Sequence, residues 1–207
     1  MKSYENHLER EFTKILNSLI SKLRSYGAEV PPVDRLPEIR MEDSLASFYN
    51  PITNTISISR HSANVGMDIA EEAMHFLETY CRGGIGKKKD MEFAYVEEFA
   101  GGLGRLIMGE KRVAFEPNEV CEYLEYLNKL KGPYSEIVHD LNAHKRGYLL
   151  AQMVYEIGLE KFFRECPDFL KKSLKEKEQY IKKFLEKHSE EVKKFLEKYR
   201  YETLCYN

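Results

Sequence analysis

A chain of 207 residues, 43% of them hydrophobic and 32% charged, is long enough to bury one sizeable core, and a single domain spanning 1–207 is the expectation. Its formal charge of -2, from 32 basic and 34 acidic side chains, excludes an overall field that would draw in nucleic acid or an anionic membrane, so any partner is recognised locally. The cysteines Cys81, Cys121, Cys166 and Cys205 are scattered without a CxxC pair, which argues against a zinc knuckle or a disulfide framework, and no run approaches the roughly 18 apolar residues of a membrane span.

The opening "MKSYENHLEREF" carries charge where a signal peptide needs an apolar core, so a cytoplasmic protein with reduced thiols is expected. Abundant Lys and Glu, little Gln and no Trp lean towards a heat-adapted thermophile source. Residues 4 to 26 place Leu8, Phe12, Ile15, Leu16, Leu19, Ile20 and Leu23 three and four apart, the stripe of an amphipathic helix, with Gly27 as its stop. "EVPPVDRLPEIR" then reads as a proline-punctuated connector. In "LASFYNPITNTISIS", aromatic and β-branched residues flank "NPITN", and Ile56 and Ile58 alternate with Thr55, Ser57 and Ser59, as in a hairpin with one buried face.

Asp68 fits a helix N-cap with Glu71 at the capping-box spacing, and that helix should run to about Cys81 before "GGIG" breaks it. A further helix is expected from about Asp90 to Met108, then one beyond Pro117 that ends near Gly132, a longer one from about Tyr134 to Ile157, and a short one through "LEKFFREC". In the tail, "KKFLEK" at Lys182 recurs at Lys193, close to three helical turns later, so both copies present one face. Ile181, Phe184, Leu185, Val192, Phe195, Leu196 and Tyr199 form its stripe, the core side of one long charged helix, or two, docked on the body or on a second copy in a homo-oligomer. The fold class is α+β, mostly α-helical, with a small β-hairpin sheet.

The chemistry concentrates in "DIAEEAMHFLETY". Glu71 and Glu72 lie four and three residues before His75, so a helix can turn all three towards one surface, and carboxylates with imidazole suit a divalent metal such as zinc, iron or manganese. The same residues also read structurally, with Glu71 completing a capping box, Glu72 a solvated carboxylate near the positive helix end, and His75 a core or surface histidine. "RGGIGKKK" lacks the order of a phosphate loop and reads as a flexible turn, with acidic neighbours that make a poor nucleic-acid surface.

The hairpin "YNPITNTISIS", the helix with paired ionisable groups and the later "YVEEFAGGL" together resemble the zincin metallopeptidases, in the gluzincin-like branch whose third ligand is a downstream Glu. The resemblance spans roughly 47 to 106 and implies a zincin-like body over 1–166, followed by an amphipathic helical extension over 167–207. The HExxH of that family aligns with Glu71-Glu72-Ala73-Met74-His75, so its first His is replaced by Glu71 and the motif is degenerate. The resemblance implies Glu71, His75 and Glu97 as metal ligands, Glu97 lying 22 positions after His75 with Glu98 in a slot that is small in the family.

It further implies Glu72 as general base and, in "HKRGYLLAQMVYEIG", His144 or Tyr148 as the group that steadies an oxyanion, with His139 nearby. Two anionic ligands make a harder site than usual, so zinc is the first expectation and iron or manganese the alternatives. A metallopeptidase-like hydrolase acting on a peptide or protein is the first functional expectation. A catalytically silent relative that binds a peptide or protein in the old cleft is the second. The third is a carboxylate-bridged di-iron protein built on the Glu72/His75 ExxH step with Glu98 as a further carboxylate.

Overall fold

The computed structural model describes residues 2–88, 91–113 and 135–199. Among them are seven α-helices and one three-stranded sheet, a mostly helical α+β fold. Helix α1 (Lys2–Ser25) buries Leu8, Phe12, Leu16, Leu19 and Leu23, the stripe its spacing announces. The expected hairpin forms from β2 (Phe48–Asn50) and β3 (Thr55–Ser59), with Tyr49 opposite Ile56.

Its partner strand is a departure. The end of the proline-punctuated segment forms β1 (Glu38–Glu42), parallel to β3 with Ile39 opposite Ile56, so the order is β1-β3-β2. Pro37 precedes the first paired residue and β1 lies at an edge, where the missing N–H costs no ladder bond. The same pairing corrects the expectation of one buried face on β3: as the central strand against the helices, all of its residues are buried, serines included.

Helix α2 (Val65–Cys81) ends where expected but begins earlier. Asn64, not Asp68, is its N-cap, with Oδ1 accepting from the Met67 N–H at 3.2 Å. Asp68 is thereby released from capping and accepts from Ser47 Oγ at 2.7 Å, tying the first turn of α2 to the segment before β2. A short 3₁₀ turn (Met91–Phe93) leads into α3 (Ala94–Ile107), and α4 (Ser135–Ile157) packs beside it. The helix expected between Pro117 and Gly132 lies outside the described residues.

Glycines set how closely these helices cross. A Cβ at Gly104 would come within 2.6 Å of Ala70 O on α2, and one at Gly147 on α4 within 2.6 Å of Phe99 N and of the Glu98 Cβ on α3. Neither backbone contact can yield without moving a helix. Gly147→Ala is therefore expected to destabilise the protein by about 1–3 kcal/mol, the usual cost of overpacking, in urea unfolding, and to shift Glu98 with it.

The tail is not one long helix. After α5 (Leu159–Glu165) and a 3₁₀ turn (Phe169–Lys171), α6 (Leu174–Lys187) starts at a full Ser173/Glu176 capping box, and the chain breaks at His188 before α7 (Ser189–Tyr199). Glu190 and Glu191 fall in the first turn of α7, where its positive end favours them, so a new helix start competes with continuation. Ile181 and Phe184 are buried in the main core, and Phe195 packs on Met153 of α4. Among the described side chains of the stripe, these three are thus covered by the chain's own body.

Candidate metal centre

Helices α2, α3 and α4 each bring one side chain to a common point. Glu71, Glu98 and His144 offer donor atoms that all lie within 4.8 Å of one another. His144 Nδ1 donates to Glu98 Oε2 at 2.8 Å, and His75 Nε2 is 3.9 Å from that same oxygen. The imidazole of His75 fits against α3 because residue 101 is glycine: a Cβ there would stand 2.5 Å from His75 Nε2. One side of α3 therefore carries Glu98, Gly101 and Arg105 at helical spacings of three and four, all turned to the site.

The cluster lies in a cleft of about 450 Å³ between α2 and β2, walled by Phe48 and Tyr49 on the strand side. Glu71, Glu72, Glu78, Glu97 and Glu98 all line it, and no Lys or Arg is among the described residues that do, so five carboxylates share one cleft. Buried carboxylates are tolerated only when paired. Arg82 donates to Glu97 at 2.6 Å and sits 3.0 Å from Glu78, which is also paired with the buried Lys177 of α6. Arg105 donates to Glu71 at 2.9 Å.

The residues named from sequence now have definite places. Glu71 and His144 stand in the tight triad and His75 at its edge. Glu97, the downstream ligand implied by the resemblance, is held by Arg82, and the carboxylate in the triad is its neighbour Glu98. Glu72 is buried, at 4% exposure, and lines the cleft. Tyr148 is buried too, its ring 4.0 Å from that of His144, and its hydroxyl is hydrogen-bonded to Glu71. Its hydroxyl thus faces Glu71, one of the three candidate donors.

Burial, then the charge and hydrogen bond of Glu71, push the Tyr148 phenol well above its usual range, so it remains a donor. Burial pulls the other way on the His144 imidazole, but the Glu98 hydrogen bond and charge outweigh it and raise its pKa. The organising cations Arg82, Arg105 and Lys177 were not singled out from the sequence. Arg105 carried one legible signal, its place seven residues, two turns, beyond Glu98.

The residues fit a divalent cation. Two carboxylates and one or two imidazoles are the donor set of zinc, iron and manganese sites, and donors around one ion at ~2.1 Å stand at most ~4.2 Å apart, a small contraction of the observed cluster. The buried hydroxyl of Tyr148 behind Glu71 is the kind of outer partner that orients a ligand. Among the described residues no helix is long and apolar enough to cross a membrane. Comparison of the chain with protein-family models, with curated proteins and with solved structures finds no match.

Proposed function

We propose that the chain is a metal-dependent hydrolase, zincin-like in its plan, that cleaves peptide bonds. The observation that carries this reading is the convergence of Glu71, Glu98 and His144 from separate helices in a cleft that Glu72 and His75 also line. Glu71, Glu98 and His144 would hold the ion, zinc first and iron or manganese next, with the His75 imidazole within reach as a further donor. When bound, such an ion polarises a carbonyl and makes a water acidic enough to attack at neutral pH.

The chain's own groups supply the rest. Glu72 accepts the proton that the attacking water gives up and passes it to the leaving amine. Tyr148, held protonated, fixes the orientation of Glu71. Among the described residues strand β2 pairs only with β3, so its other edge can bind an extended peptide through main-chain hydrogen bonds, and Phe48, 43% exposed, offers an apolar contact. Cys81 and Cys166 are free thiols, in keeping with a cytoplasmic setting.

The test is hydrolysis of a peptide library by metal-loaded protein. Glu72→Gln is expected to lower kcat by about 10²–10⁴-fold while metal content stays at the wild-type level. Full activity in Glu72→Gln, or in chelated protein, would sink the proposal. The Arg105 guanidinium on Glu71 supports a second reading, a silent relative in which that charge replaces the metal and the cleft only binds peptide. Protein that stays metal-free after reconstitution with zinc, iron and manganese yet binds peptides favours it. A di-iron centre is the least supported, since the tight cluster offers donors for a single ion.

A further inference from the structure

We propose that Arg105 is a positioning residue that turns Glu71 into a one-oxygen, charge-shared ligand and thereby sets which metal the site prefers. This rests on the metal-centre reading above and adds to it a role for a residue outside the donor set. Arg105 Nη1 donates to Glu71 Oε2 at 2.9 Å. The rest of the guanidinium is anchored: Nε and Nη2 fork onto the two oxygens of Glu110, at 2.5 and 3.3 Å, and Nη1 also reaches Asp68 at 3.3 Å. A planar fork fixed at its far side cannot turn away when Glu71 takes up a cation, so the Glu71 contact persists in the loaded site.

The consequence follows from ligand chemistry. A carboxylate unconstrained at both oxygens chelates readily, raises the coordination number and favours harder ions such as manganese. With Oε2 committed to Arg105, Glu71 offers an ion one oxygen and only part of its charge. It then resembles a neutral, single-donor imidazole. Arg105 thus offsets the extra charge of Glu71, and the pair Glu71/Arg105 makes a low-coordinate, zinc-preferring site. The same guanidinium that could mark a retired site is, in this arrangement, what keeps it selective.

The experiment uses the full chain loaded with Co²⁺, whose d–d absorption is intense in four-coordinate sites and weak in six-coordinate ones, with competition between Zn²⁺ and Mn²⁺ as the second readout. Wild-type protein is expected to take one Co²⁺ per chain with intense absorption. Arg105→Gln should still take one Co²⁺, with weaker absorption and a Zn²⁺-over-Mn²⁺ preference reduced by about tenfold or more, the usual size of an outer-shell effect. Glu110→Gln, which loosens the anchor without touching Glu71, should move both readouts the same way by less, and it decides the matter if Arg105→Gln fails to fold. Unchanged spectrum and preference in the folded variants would overturn the role of Arg105 and leave the metal centre standing. Wild-type protein that binds none of the three ions would remove both.

Discussion

Glu98→Ala is expected to weaken metal binding by more than ~100-fold, beyond the 10–100-fold that loss of an outer-shell partner costs, whereas Glu97→Ala should leave affinity within a few-fold of wild type. The two residues are neighbours in sequence and both are buried. They differ in what they face: Glu98 is hydrogen-bonded to His144 and lies 3.9 Å from His75, while Glu97 is clamped by Arg82. Removing Glu97 leaves Arg82 its contact with Glu78, so the cleft wall keeps its charge balance. Equilibrium dialysis against Zn²⁺, with folding checked by circular dichroism, reads the contrast directly. Equal losses in the two variants would mean that α3 presents the other carboxylate when loaded, and the triad would have to be redrawn around Glu97.

The second large effect concerns stability. Glu78→Leu should destabilise the fold by about 3–5 kcal/mol, because it strands the Lys177 ammonium in the interior without its partner. Lys177 is 1% exposed, and burial pushes its pKa down against the pull of Glu78. Lys177→Met should cost less, since Glu78 keeps Arg82 at 3.0 Å. The double variant should recover most of the Glu78→Leu loss, as apolar pairs of similar volume often replace buried ion pairs without penalty. Urea unfolding of the three variants tests this, and equal costs for the two single variants would contradict the asymmetry. The pair also explains why α6 is part of the body: its buried lysine is matched to a glutamate of α2 that lines the cleft.

Much of the architecture could be read from local pattern. The stripe of α1, the hairpin around "NPITN", the end of α2 at Cys81 and the course of α3 each follow from spacing and turn chemistry within one segment. The errors share a cause. Strand β1 exists because β3 is there to pair with it, and α2 starts at Asn64, whose side chain caps it, which leaves Asp68 to bond Ser47 across the fold. In the tail, where the stripe left open one helix or two, the break at His188 gives two.

The candidate site divides in the same way. The sequence by itself determined that Glu71, Glu72 and His75 share a helix surface, because their spacing matches the helical period whatever surrounds them, and it marked His144 and Tyr148 as candidates on a later helix. Only the tertiary structure decided that Glu98 and not Glu97 joins them. Adjacent residues on a helix point about 100° apart, so the choice depends on the roll of α3 about its axis. That roll is set by close contacts at Gly101 and Gly104 with α2 and at Gly147 with α4, between residues far apart in the chain. The placement of Arg105 on Glu71 has the same origin.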